Sequence, residues 1–95
     1  MSEFFAQHDL LICPAVQVPP FPVDENWPRT IDGQESSSYV DWIMITYVWS
    51  VLGCPAIAVP AGHDSAGLPV SIQIVGPPHA DARVLALAAW VEAAL

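Results

Sequence analysis

Two histidines in the chain are each followed directly by an aspartate, the pairing that general-base catalysis uses. The pairs are His8-Asp9 and His63-Asp64, and a third histidine, His79, lies in a proline-rich turn. Such a pair catalyses acyl transfer only where the fold places a nucleophile beside the imidazole. None of the serines lies in a Gly-x-Ser-x-Gly strand–turn–helix elbow. We therefore predict solvated histidines in loops and at helix ends, and no catalytic residue in this chain.

Patterns that hold metals or phosphate are also missing from the sequence. Three histidines and two cysteines show no close, repeated spacing of the kind that zinc or iron sites use. Gly62 and Gly67 flank a turn between two strands, whereas a phosphate loop needs a strand-to-helix junction. We predict neither a metal site nor a bound cofactor.

The two cysteines, Cys13 and Cys54, do not make a disulfide framework. Each precedes a proline inside an apolar run, which favours buried free thiols. Because free thiols persist in a reducing compartment, we expect a cytoplasmic protein.

The charge balance argues against two classes of partner. The 95 residues include ten acids and two arginines but no lysine, so the formal net charge is −8. Nucleic acids and anionic membrane surfaces are bound by clustered basic residues, so neither partner is expected. No apolar stretch reaches the length of a membrane-spanning helix, so we predict no transmembrane segment.

The chain is too apolar for its size. Hydrophobic residues make up 54% of it and charged residues 13%. A domain this small has a high surface-to-volume ratio and should carry more polar surface. The composition therefore indicates an interior piece of a larger fold or one half of an obligate oligomer.

Hydrophobic patterning predicts an α/β or α+β chain with about three strands. The run of residues 10–13, closed by Pro14, is typical of a strand buried on both faces of a parallel or mixed sheet. Residues 56–59, ended by Pro60, and residues 69–75 predict an antiparallel hairpin. Other expected elements are a helix tail over residues 3–9, a long Pro-rich loop over 14–35, a central helix over 39–52 and a C-terminal helix.

The central helix should be buried on every face, because apolar residues surround it. Ser38 is its expected N-cap, with Asp41 as a capping-box acid, and Gly53 its expected stop. The C-terminal helix should be amphipathic and capped by Asp81. Its apolar stripe is predicted to contain Val84, Leu87, Ala88, Val91 and Leu95.

Three ordered segments carry a family resemblance. They are 9–14 (DLLICP), 46–62 (TYVWSVLGCPAIAVPAG) and 67–77 (GLPVSIQIVGP), followed by a helix. The chain resembles the C-terminal portion of the amidase signature family. That family shows Asp-Leu-Leu-x-x-Pro, then Thr-x-x-x-Asn-x-x-Gly-x-Pro-Ala, then Gly-Leu-Pro-x-Gly-x-Gln, and a closing helix. Two residues depart from this pattern: Ser50 stands in place of Asn and Ser71 in place of Gly.

The resemblance implies a large α/β enzyme that hydrolyses amide bonds with a Ser–cis-Ser–Lys triad. Those residues lie upstream of the segments matched here, and this chain has no lysine. Residues 1–95 are accordingly predicted to be a single partial domain, an inactive C-terminal slice whose partner is the missing N-terminal catalytic portion. In the full enzyme the substrate would be a small amide.

The resemblance also implies that the loop after the first strand and the helix before Gly53 border the substrate channel. Core packing is an alternative for several of their residues, and Thr46 could instead bond to a helix carbonyl. Gln73 is predicted to satisfy backbone groups. The substrate-pocket candidates are Cys13, Pro14, Ile43, Thr46, Trp49 and Ser50.

Two other functions remain open. One is a non-catalytic binding or assembly module, derived from the amidase fold, that covers its apolar surface by self-association. The other is an inactive ligand-binding relic that uses the pocket around Trp49.

Overall fold

The computed structural model describes residues 2–18 and 20–95. The three helices and five strands of these described residues confirm the predicted α/β class. In chain order they are α1 (Ser2–Gln7), β1 (Leu11–Pro14), β2 (Thr30–Ile31), β3 (Gln34–Glu35), α2 (Tyr39–Val51), β4 (Ala56–His63), β5 (Pro69–Val75) and α3 (Asp81–Ala94).

The main sheet has three strands in the order β1-β5-β4. Both pairings are antiparallel, with Cys13 opposite Gln73 and Ile57 opposite Ile74. The predicted β4–β5 hairpin is confirmed. The doubly buried strand of a parallel or mixed sheet is not found, because β1 is an edge strand and Ile12 is 48% exposed. An apolar run does not by itself distinguish a central strand from an edge strand with an uncovered face.

Strand β4 continues past Pro60 to His63, four residues beyond its predicted end. Proline is tolerated because β4 is an edge strand, and a register irregularity between Pro60 and Gly62 accommodates it. Asp64 then organises the turn: its carboxylate accepts hydrogen bonds from the backbone amides of Ala66 and Leu68, both at 2.9 Å.

Helix α3 packs against β4 and β5. The core between them contains Val59, Ile74 and Ala88. The predicted stripe of α3 is confirmed only in part, since Val84 and Ala88 are buried but Leu95 is 66% exposed. Asp81 is the first helical residue, and Ala80 occupies the cap position without a side-chain hydrogen bond, so the predicted Asp81 cap is wrong.

Helix α2 has the predicted ends. The Ser38 hydroxyl accepts from the Asp41 amide, and the Asp41 carboxylate accepts from the Ser37 amide. Gly53, just beyond the helix, has a φ of 73°, the left-handed conformation that glycine adopts readily. The predicted burial of α2 on every face is wrong within the described chain, since each of its residues keeps part of its surface exposed to solvent.

The long loop over residues 14–35 contains a small hairpin that was not predicted. Strands β2 and β3 pair Ile31 with Gln34 across a two-residue turn. Asp32 and Gly33 have φ angles of 52° and 74°, as a type I′ turn requires. The Asp-Gly dipeptide is a standard hairpin signal, and the proline content of the loop obscured it. The Trp27 indole closes the hairpin by donating to the carbonyl of Ser36.

None of the helices in the described part of the chain combines the length and apolar character needed to cross a bilayer.

Near the N-terminus, the His8 ring stacks on Phe4 with ring centroids 4.6 Å apart.

Candidate functional site

The β4–β5 hairpin presents two chemically different faces. Side chains alternate along a strand, so Ile72 and Ile74 lie on one face of β5 while Ser71 and Gln73 lie on the other. The isoleucine face packs, together with Val59 of β4, against Ala88 of α3. The opposite face, which carries Ser71 and Gln73, is the one directed toward α2 and the segment after β1.

Gln73 joins three elements on this second face. Its side-chain nitrogen donates to the carbonyl of Pro14, at the end of β1, at 3.1 Å. The same nitrogen donates to the carbonyl of Ile45, within α2, at 2.8 Å. Gln73 is 5% exposed, and both bonds are partly shielded from water. This agrees with the backbone-satisfying role predicted for it.

A second glutamine holds α2 from the loop side. The Gln17 amide nitrogen lies 3.1 Å from the carbonyl oxygen of Asp41 and 3.0 Å from that of Trp42. Since both neighbours are acceptors, the amide is oriented to donate to them. Gln17 and Gln73 therefore fasten α2 above the sheet through its own carbonyl groups.

An open cleft of about 480 Å³ lies between α2 and this face of the sheet. Three of the six predicted pocket residues, Thr46, Trp49 and Ser50, line it from the C-terminal half of α2. The floor comes from β4 and β5 and the rim from the segment after β1. The other described residues that line it are Ala15, Val16, Cys54, Ala56, Ile57, Ala58, Ser71 and Gln73.

The other three predicted residues do not line this cleft. Pro14 lines a neighbouring cleft and contributes its carbonyl to the Gln73 bond. Ile43 lies one turn before Thr46, and its carbonyl accepts the Thr46 hydroxyl at 2.6 Å. The predicted back-bonding of Thr46 is thus present, and the threonine lines the cleft as well.

Cys13 lies on β1 opposite Gln73 and is half-buried. Burial raises the pKa of its thiol, and the neighbouring Gln73 side chain offsets part of that rise. Both cysteines are free, as predicted, but only Cys54 is buried, so the predicted burial is confirmed for one of the two. A thiol with a raised pKa is mostly protonated near neutral pH, so Cys13 lacks the chemistry of an activated nucleophile.

Trp49 brings an unusual polar group to the cleft wall. Its indole nitrogen is buried and has no hydrogen-bond partner among the described residues. The same holds for Trp42, whose ring packs edge-to-face against Phe21. Buried hydrogen-bond donors are normally paired, so these two indole nitrogens are exceptions within the described chain.

Sequence reasoning missed several lining residues, notably Val16, Ala56 and Ser71. Ala56 and Ser71 belong to strands, and which face of the sheet their side chains occupy depends on strand register, which a single sequence does not reveal.

Within residues 2–18 and 20–95, no three His, Cys, Asp or Glu side chains converge as metal ligands.

The fold of this chain matches that of a known structure. A crystal structure of an amidase superposes with a TM-score of 0.81 at 31% sequence identity. The match covers 94% of this chain and 20% of that one. The sequence model of the amidase family matches residues 1–85. This chain belongs to the amidase family.

Individual relatives support the same assignment. The chain is 40% identical over 89 residues to a putative amidase of Synechocystis sp., covering 94% of this chain and 17% of that protein. It is 36% identical over 93 residues to an acylamidase of Rhodococcus erythropolis, covering 97% and 19%. It is 43% identical over 67 residues to a fatty acid amide hydrolase of Arabidopsis thaliana, covering 68% and 11%. The chain thus spans less than a fifth of the length of these relatives.

Proposed function

We propose that this chain forms one wall of the substrate cleft of an enzyme that hydrolyses carbon–nitrogen amide bonds. The observation that carries the proposal is the cleft itself, because Thr46, Trp49 and Ser50 converge on it in a chain of the amidase family. The substrate would lie against α2, with the β4–β5 hairpin below it.

The groups that cleave the bond come from outside these 95 residues. The family resemblance implies a Ser–cis-Ser–Lys triad, and a chain without lysine cannot supply its base. The partner is therefore a polypeptide segment that carries the triad, and the 95-residue chain alone is inactive. The relatives, which extend far beyond the matched region, have room for such a segment.

A chimera tests this proposal. The 93 residues of the Rhodococcus erythropolis acylamidase that align with this chain are replaced by the chain itself. We expect the chimera to hydrolyse simple amides such as octanamide and acetanilide, with activity that is lost when its catalytic lysine is replaced. The 95-residue chain alone should release no product. A folded chimera without activity, or hydrolysis by the chain alone, would overturn the proposal.

The exposed face of α2 favours a second candidate function, a non-catalytic assembly module. Val40, Met44, Tyr47 and Val51 follow a helical spacing of four, three and four residues, and all four are exposed. An apolar stripe of this kind mediates self-association when no other segment covers it. A dimer of the 95-residue chain that persists when the chain is mixed with a triad-bearing amidase segment would favour assembly over catalysis.

A further inference from the structure

A second cleft adjoins the first at the start of β5. It has a volume of about 320 Å³ and shares Val16 and Ser71 with the cleft under α2. Three prolines and two further valines give it a largely apolar wall. Its described lining residues are Pro14, Val16, Gln17, Val18, Pro20, Pro69, Val70 and Ser71.

Neither cleft carries a charge on the described residues that line it. This is notable in a chain with ten acidic residues and a net charge of −8, because the acids lie elsewhere. A charged ligand group would lose its hydration against these walls and gain no ion pair in return. A neutral, apolar group would be accommodated without that cost.

The polar side chains of the larger cleft divide into two kinds. Thr46 and Gln73 already bond to backbone carbonyls of the protein. Ser50 and Ser71 make no side-chain hydrogen bond to the rest of the described chain in this structure. Their hydroxyls are therefore available to a ligand, and Ser71 lies where the two clefts meet.

We propose that the two adjoining clefts bind a neutral amide with an extended apolar acyl chain, and that Ser71 is its specificity-determining polar contact. The acyl chain lies along the proline- and valine-lined cleft. The amide group of the substrate lies under α2 near Ser50. This proposal rests on the proposed function, since it names the class of amide that the same site selects.

Direct binding to the acylamidase chimera, with its catalytic lysine replaced so that the amide is not consumed, tests the proposal. The probes are octanamide, its cationic analogue 8-aminooctanamide and the anionic monoamide of suberic acid, compared by ligand-observed NMR titration. All three have eight-carbon chains and differ in terminal charge. We expect octanamide to bind about tenfold more tightly than either charged probe, because the charged terminus loses solvation. Equal affinities, or tightest binding by the cation through attraction to the net negative charge, would overturn the proposal.

Variants of one residue test the role of Ser71. Ser71→Ala removes the hydroxyl, and Ser71→Val also narrows the junction between the clefts. We expect about fivefold weaker octanamide binding for the first and a greater loss for the second. Ser65→Ala, in the exposed β4–β5 turn, is the matched control and should bind octanamide with the same affinity as the unsubstituted protein. Ser71 variants that match Ser65→Ala while melting at the same temperature would remove Ser71 from the site.

The two proposals fail in different ways. If the chimera hydrolyses neutral and charged eight-carbon amides equally well, the selectivity proposal is wrong and the proposed function stands. If octanamide binds as expected but the chimera hydrolyses nothing, the proposed function is wrong and the binding site stands.

Discussion

The side-chain nitrogen of Gln73 lies 2.8 Å from the carbonyl oxygen of Ile45, and this bond ties the middle strand of the sheet to α2. The residues are 28 positions apart in sequence. Since Thr46 directly follows Ile45, the bond also sets the height of the cleft roof above its floor. A structural glutamine thus positions the residues that would meet a substrate.

Replacing Gln73 by leucine should detach α2 from the sheet. The substitution removes the donor of two part-buried hydrogen bonds to backbone carbonyls, which together cost about 1–3 kcal/mol of unfolding free energy. The urea midpoint at one fixed protein concentration measures the loss, and hydrogen exchange in α2 locates it. Gln34→Leu, at an exposed position of β3, is the control. Equal midpoints for both variants would show that the Gln73 bonds contribute nothing.

Gly76 should tolerate no side chain. A Cβ at this buried position would collide with the Val84 side chain of α3. Gly76→Ala is therefore expected to destabilise the chain by about 1–3 kcal/mol through overpacking. The double variant Gly76→Ala, Val84→Ala should lose less than the two single variants together, as measured by a double-mutant cycle. Strict additivity would contradict the close approach.

The Cys13 thiol should react slowly with alkylating reagents. Because its pKa is raised by burial, its thiolate fraction at pH 8 is smaller than that of an unperturbed cysteine, and reaction with iodoacetamide should continue to accelerate above the pH at which a free cysteine levels off. Peptide mapping by mass spectrometry separates Cys13 from Cys54. A Cys13 rate that matches glutathione at every pH would contradict this prediction.

The 95-residue chain should not behave as a stable monomer on its own. The exposed stripe of α2 contains Val40, Met44, Tyr47 and Val51. We expect a dimer or larger species by light scattering, together with binding of an apolar dye. Glutamine at Val40 and Met44 should reduce both signals more than glutamine at Leu85 and Trp90 of α3. A sharp monomeric melt without dye binding would show that the stripe needs no cover.

Local signals in the sequence predicted local structure well. Ser38 and Gly53 mark the ends of α2 because capping and left-handed backbone depend on few neighbours. The continuation of β4 through Pro60 was missed, since it depends on β4 being an edge strand. Asp32 and Gly33 signal the small hairpin, but the surrounding prolines suggested an unstructured loop.

The site was predicted in part for a related reason. The helical spacing of Thr46, Trp49 and Ser50 places them together once α2 is recognised. Ser71 was noted only as a departure from a family pattern. Its position at the junction of two clefts follows from strand register and from the path of residues 14–18, which the sequence alone does not specify.

The most direct test of whether this chain forms a wall of the substrate cleft is kcat/KM for octanamide. It is compared between the acylamidase chimera and its Trp49→Ala and Trp49→Phe variants. Trp90→Ala is the matched control, because Trp90 lies on α3, which covers the opposite face of the sheet. We predict that Trp49→Ala lowers kcat/KM about tenfold, that Trp49→Phe recovers most of it and that Trp90→Ala changes little. Equal values for Trp49→Ala and Trp90→Ala in chimeras of equal thermal stability would contradict the assignment of this cleft to the substrate.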